Sequence, residues 1–171
     1  YTLVVTTISN IGLHAAAKEY GIDLAITDVG DRYVIEEMKK SGHNLGGEQS
    51  GHMIFLDYNT TGDGTLSSLI VSKIVKEEGK TLSEQSALMT TYPQVLINVE
   101  VRNEVKNKFM ENDEIRAEIE RLEKLMNGTG RVLIRPSGTQ PLVRVMLEGK
   151  DEGQIRELAQ GLADLIKEKL A

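Results

Sequence analysis

The sequence predicts an α/β three-layer domain, a mixed sheet with helices on both faces, followed by a small α+β domain of order β-α-β-β-α. Three observations carry this. Short β-branched runs alternate with segments of helical period through residues 1–92. Two apolar runs, 132–134 and 142–147, flank one turn-rich stretch and lie between two amphipathic segments. Tyr92-Pro93 separates these patterns, because proline disfavours helix in the residue before it, so the domains are drawn at 1–92 and 93–171.

The elements follow in order. Residues 1–7 are rich in β-branched side chains and read as a buried strand. Ser9 and Asn10 are good caps for a helix over 11–20, which Gly21 stops. A second strand spans 22–27, a short loop 29–32, and a helix 33–40 carries Val34, Ile35 and Met38 on one face until Gly42. Residues 46–52 read as a glycine-rich loop before a strand at 53–56. Asp57, Asn59, Thr61, Gly62 and Asp63 imitate the opening of a calcium loop. Its twelfth position needs a bidentate Glu and holds Ser68, and a strand precedes it, so calcium is rejected. Asp63 reads instead as the cap of a helix over 65–78 that turns Leu66, Leu69, Ile70, Ile74 and, as a further option, Val71 inward, and Thr81 as the cap of another over 82–91. A strand is expected at 95–101, while 104–109 is ambiguous, with a helical turn as one option. The helix over 113–126 aligns Ile115, Ile119, Leu122 and Met126; the last, over 151–170, aligns Ile155, Leu158, Leu162, Leu165 and Ile166.

Composition excludes several functions. The 171 residues are 40% apolar and 27% charged, a globular mix, with a net charge of −6. That balance argues against a nucleic-acid or membrane-surface partner, so an anionic ligand needs a local basic cluster. The absence of cysteine excludes disulfides and thiolate metal sites. His14, His43 and His52 share no metal-ligand spacing, and no metal site is expected. No apolar run approaches the ~20 residues of a membrane span and no signal peptide is visible, which gives a cytoplasmic expectation. A start in a strand, without Met, reads as a piece of something longer.

Two loops carry chemistry. Arg135-Pro136-Ser137-Gly138-Thr139-Gln140-Pro141 joins the two late strands. Arg135 offers a planar fork that matches phosphate, Ser137 and Thr139 offer hydroxyls, and Gly138 lets backbone N–H groups turn toward an anion. Arg144 adds a second positive charge from the next strand. The same residues also suit an ordinary hairpin turn with one exposed arginine. In Gly46-Gly47-Glu48-Gln49-Ser50-Gly51-His52 the glycines allow close backbone approach. Glu48 and Ser50 then present a carboxylate and a hydroxyl, a pair suited to sugar hydroxyls or an amine, with His52 adjoining. The plainer reading is a glycine-rich turn with a solvated glutamate. Asp31-Arg32 reads locally as an ion pair or a helix cap.

These two stretches, with Val29-Gly30-Asp31-Arg32-Tyr33-Val34 and Tyr58-Asn59-Thr60-Thr61-Gly62-Asp63-Gly64, resemble signature loops of the α-D-phosphohexomutases, in the same order and spacing. Gln49 and the Gly-Asp-Arg-Tyr-Val stretch are most similar to the bacterial branch that acts on glucosamine phosphates. The resemblance implies most of the third domain and the fourth domain of a four-domain enzyme. That enzyme would interconvert glucosamine 6-phosphate and glucosamine 1-phosphate through a phosphoserine and a bisphosphorylated sugar. It further implies that Glu48 and Ser50 bind the sugar, that Arg135, Ser137, Gly138, Thr139 and Arg144 hold the phosphate not being transferred, and that Arg32 lines the same cleft; His52, which adjoins the loop, is expected to reach the sugar with them. The family's serine loop and its Asp-rich loop for Mg2+ are absent from this chain, so no catalytic residue and no magnesium ligand is expected here. The isolated chain is expected to bind phosphosugar weakly, to rely on the remaining domains of its parent chain as partners, and to be inactive. Two departures stand out: Gln140, where the family usually has Glu, and Asp28, where many relatives are basic or neutral. The rival expectations are a sibling mutase for mannose or glucose phosphates, and a non-catalytic phosphosugar-binding module.

Overall fold

Strand β1 (Thr2–Thr6) runs inside a four-stranded sheet and sends alternate side chains to opposite faces. Val4 packs with Val34 and Met38 of helix α2 (Asp31–Ser41), whereas Leu3 and Val5 line an apolar cavity with Leu13 of helix α1 (Ile11–Tyr20). The two helices therefore cover opposite faces, which makes the three layers. The computed structural model describes all of residues 1–171, in two units, Tyr1–Thr91 and Tyr92–Ala171. In the first unit the order is β2-β1-β3-β4, with β2 at Asp23–Thr27, β3 at Leu45–Gly47 and β4 at Met53–Phe55. β1 is parallel to β2 and β3, and β4 returns antiparallel to β3.

Strand β3 corrects the sequence reading, which left Gly46 and Gly47 in a loop. A Cβ on Gly46 would lie 2.7 Å from the Met38 sulfur and 2.9 Å from Val34, and one on Gly47 would lie 2.6 Å from the His52 carbonyl oxygen. These two glycines let α2 and β4 close on the strand rather than let a ligand approach. Helix α2 also starts earlier than expected, placing Asp31 in its first turn.

Helix α3 (Gly64–Glu78) has its expected cap, the Asp63 carboxylate accepting the Leu66 N–H at 2.9 Å. The expected inward stripe is not formed, since Leu69 is 64% exposed and Ile74 45%. The helix meets mainly β4, so among its apolar residues only Leu66, Ile70, Val71 and Val75 gain partial cover. Helix α4 (Leu82–Ser86) opens with a capping box between Thr81 and Glu84 and is shorter than the expected 82–91. The chain beyond it crosses α1, where a Cβ on Gly12 would lie 1.8 Å from the Thr90 carbonyl oxygen.

The second unit is an antiparallel sheet of order β5-β7-β6, formed by β5 (Gln94–Glu100), β6 (Gly130–Pro136) and β7 (Leu142–Gly149). Val143, Val145 and Leu147 of β7 face a core shared with α5 (Asp113–Leu125) and α6 (Glu152–Leu170). The α5 stripe is buried as the periodicity predicts, and the ambiguous stretch before it ends in a single 3-10 turn at Phe109–Glu111. The intervening positions of the strands point away from the helices. There Glu148, fully buried, accepts from Arg131 Nε at 2.6 Å and Gln94 Nε2 at 3.4 Å. No helix is long and apolar enough to cross a membrane.

Candidate functional site

In the first unit β1 leads into α1 on one face and β2 leads into α2 on the other. Chains leaving to opposite faces open a crevice at the carboxyl ends of parallel strands, where ligands of such sheets bind. The β3–β4 hairpin delivers its tip to that end. The tip is closed by the Glu48 N–H donating to the His52 carbonyl at 2.9 Å and the Gly51 N–H donating to the Glu48 carbonyl at 3.1 Å. Gly51 has φ 95°, a left-handed conformation that suits glycine.

Around the tip the polar groups form a ring. Glu48 Oε1 accepts the Gly30 N–H at 2.7 Å, and Ser50 Oγ donates to Glu48 Oε2 at 3.4 Å. His52 Nδ1 lies 3.5 Å from Ser50 Oγ and 3.1 Å from Asp31 Oδ1. The carboxylate at Nδ1 fixes the ring proton there in the neutral imidazole and leaves Nε2 as an acceptor. Beside the ring lies an apolar cavity of about 230 Å³, lined by Leu3, Val5, Leu13, Met53 and Met89 together with Glu48 and His52.

The structure thus brings Glu48, Ser50 and His52 together and adds Asp31, which the sequence reading treated as a cap or an Arg32 partner. Nothing in the spacing marks Asp31, because helix α2 carries it across 21 residues to His52. Arg32 stands apart from the ring: its guanidinium pairs with Glu36 at 3.2 Å and lies over the Tyr33 ring.

Ligand atoms of Asp31, Glu48 and His52 lie within 4.8 Å of one another. The set does not suit magnesium, which takes oxygen ligands in a strict octahedron. One of the three is an imidazole, and both carboxylates already accept hydrogen bonds.

In the second unit, β6 and β7 put Arg135 and Arg144 in direct register on the face away from the helices. Like charges so placed repel across a strand pair. Arg144 Nε is buried with no hydrogen-bond partner. The connecting loop is built from its own polar groups. The Ser137 N–H donates to the Leu142 carbonyl at 2.9 Å, the Leu142 N–H to the Gln140 carbonyl at 2.9 Å, and the Gln140 N–H to Ser137 Oγ at 3.2 Å. Ser137 is only 3% exposed, so its hydroxyl first holds the loop and retains its own O–H to donate. Gly138 and Thr139 are exposed, and no acceptor in the chain meets their N–H groups. Gly138 is not left-handed, and a Cβ there would meet nothing within 4 Å. The fold itself therefore does not require glycine at the tip.

One residue was missed. Lys106 Nζ donates to the Ser137 carbonyl at 2.9 Å and the Gln140 carbonyl at 3.3 Å. It sits in the stretch that the sequence left ambiguous, and no periodicity points to it.

The family model described as phosphoglucomutase/phosphomannomutase alpha/beta/alpha domain III matches residues 1–92, and that family's C-terminal domain matches residues 96–165. Phosphoglucosamine mutase of Clostridioides difficile (strain 630) is 68% identical over 99% of this chain, and that of Thermoanaerobacter sp. (strain X514) is 62% identical over 99%. The chain spans 38% of the length of each. Among solved structures, Aspergillus fumigatus N-acetylphosphoglucosamine mutase in complex with GlcNAc-6P and magnesium superposes with a TM-score of 0.82 at 21% identity, over 99% of this chain and 39% of that one. At that identity the likeness is one of fold.

Proposed function

The chain belongs to the phosphoglucomutase/phosphomannomutase family, and from that premise we propose that it is the substrate-recognising part of an enzyme interconverting glucosamine 6-phosphate and glucosamine 1-phosphate. The loop between β6 and β7 holds the phosphate that is not transferred, through Arg135, Arg144 and the N–H groups of Gly138 and Thr139, with hydroxyls from Ser137 and Thr139. The observation that carries this is the unpartnered, buried Arg144 Nε on the strand that follows a loop whose two tip N–H groups also lack acceptors. Donors fixed in advance lose little freedom on binding.

The ring in the first unit takes the sugar. Glu48 and Ser50 accept and donate to its hydroxyls, and His52 Nε2 accepts from another. The second carboxylate, Asp31, supports an amino sugar over a plain hexose. Two carboxylates close together attract a protonated amine and give a neutral hydroxyl no such advantage. Phosphoryl transfer needs a phosphorylated nucleophile and a metal as well as positioned donors, and these belong to the rest of the parent enzyme. The chain alone binds and does not catalyse.

Calorimetry on the chain tests this with inorganic phosphate, glucose 6-phosphate and glucosamine 6-phosphate. Arg135→Ala should weaken all three by about 1.5–3 kcal/mol, the range for hydrogen bonds to charged groups. Glu48→Ala should erase the preference for the amino sugar and leave inorganic phosphate unchanged. Unchanged phosphate affinity in Arg135→Ala would refute the loop assignment. Equal affinity of the unaltered chain for the two sugar phosphates favours a sibling mutase instead.

A further inference from the structure

We infer that Lys106 is a positioning residue of the phosphate loop, acting through the backbone of Ser137 and Gln140 without touching the ligand. This rests on the phosphate reading above and adds to it the part that aims the donors.

Consider what the loop's carbonyl groups would do to an anion. A carbonyl oxygen of the tip turned toward the ligand would repel it. Lys106 Nζ gathers two of these oxygens, Ser137 at 2.9 Å and Gln140 at 3.3 Å, to one side. Every peptide bond in the chain is trans, so C=O and N–H of one peptide point in opposite directions. With the Ser137 carbonyl held on Lys106, the Gly138 N–H points away from Lys106, toward the side left open. The Gln140 carbonyl precedes Pro141, which has no N–H, so turning this oxygen inward withdraws no donor. The ammonium also offsets the negative ends of both carbonyl dipoles beneath the bound anion.

Lys106 is itself anchored. It stands half-buried in a turn where the Lys106 and Val105 N–H groups donate to the Arg102 carbonyl at 3.2 and 3.1 Å. The Arg102 N–H donates to the Leu170 carbonyl of α6 at 3.4 Å, and the Val101 N–H to the Pro141 carbonyl at 3.0 Å. The brace thus runs from the last helix through this turn to both ends of the loop. The Lys106 side chain reaches only backbone atoms there, so its contribution depends on charge and reach, not on the identity of the loop side chains.

The test is a titration of the 171-residue chain with inorganic phosphate, following the backbone amide resonances of Gly138 and Thr139. Thermal melts of each variant run alongside. Lys106→Met should weaken phosphate binding about tenfold, the loss of one charge-assisted bond's worth, and shrink the Gly138 shift. Lys106→Arg should recover most of the affinity, because it keeps the charge and the reach. If Lys106→Met unfolds the second unit, Lys106→Gln, which keeps a donor but no charge, takes its place with the same expectation. Equal phosphate affinity in the unaltered chain and in the folded neutral variant overturns this inference alone. A loss that Lys106→Arg does not restore, with a lowered melting temperature, overturns it in favour of a structural role. No response of Gly138 and Thr139 in the unaltered chain overturns the phosphate reading and this one with it.

Discussion

The two units hold their loops by different means. In the second unit the loop sits on a sheet whose other face closes a deep core, to which α5, α6, β5 and β7 all contribute buried side chains. In the first unit the buried core is small, Val4, Val34, Met38 and Ile54, and helix α3 buries none of its residues. There the loop is fixed by close backbone approach at Gly46 and Gly47 and by the polar ring around Glu48. The difference teaches that one loop stands on a deeply packed sheet and the other on short-range contacts alone, so the loop of the first unit should be the more easily loosened.

The largest expected effect breaks the stronger side of this comparison. Arg131→Met removes one side of the Arg131–Glu148 ion pair at a fully buried position and leaves Glu148 its hydrogen bond from Gln94. Breaking a buried ion pair by removing one partner costs about 3–5 kcal/mol. Urea unfolding followed by hydrogen exchange on β7 amides should show that loss in the second unit, with β1 amides unaffected. A loss shared equally by both units would mean they do not unfold independently.

A smaller effect is expected in the first unit. Gly46→Ala brings a Cβ against Met38, Val34 and the Val4 carbonyl, and overpacking of this kind costs about 1–3 kcal/mol. Exchange protection of β1 and β3 should fall, and the Glu48 tip should loosen with them. Unchanged protection would show that α2 gives way freely.

The smallest effect is on acidification. The Leu66 N–H holds the Asp63 carboxyl below the ordinary aspartate range, helped by Asn59. A carboxyl depressed in the folded state stabilises it above the unfolded value, and that contribution is lost as pH falls through the folded value. The start of α3 should therefore fray below the usual aspartate range. Asp63→Asn, which keeps a capping oxygen but cannot ionise, should remove the pH dependence. Carboxyl chemical shifts across an acid titration check both.

How much of this was legible in the sequence differs between the units in the same sense. In the second, one face of each element is buried, so period alone located Ile115, Ile119 and Leu122 and both strands around Ser137. In the first, glycine hid strand β3, because residues chosen for close approach carry no apolar signal of their own. The α3 stripe misled for the opposite reason: the period is there, and little in the chain covers it. Of the candidate site, Glu48, Ser50, His52 and the 135–144 residues could be named from local composition and family likeness. Asp31 and Lys106 could not, since each reaches its partners through tertiary structure, 21 and 31 residues along the chain.

The most direct test of the central claim follows backbone amides of the whole chain during two titrations. With inorganic phosphate, Gly138, Thr139 and Gln140 should shift while Gly30, Glu48 and Ser50 stay still. With glucosamine 6-phosphate both sets should move. Movement confined to surface lysines, or a Glu48 tip that answers phosphate as strongly as the amino sugar phosphate, would contradict the division of labour between the two loops.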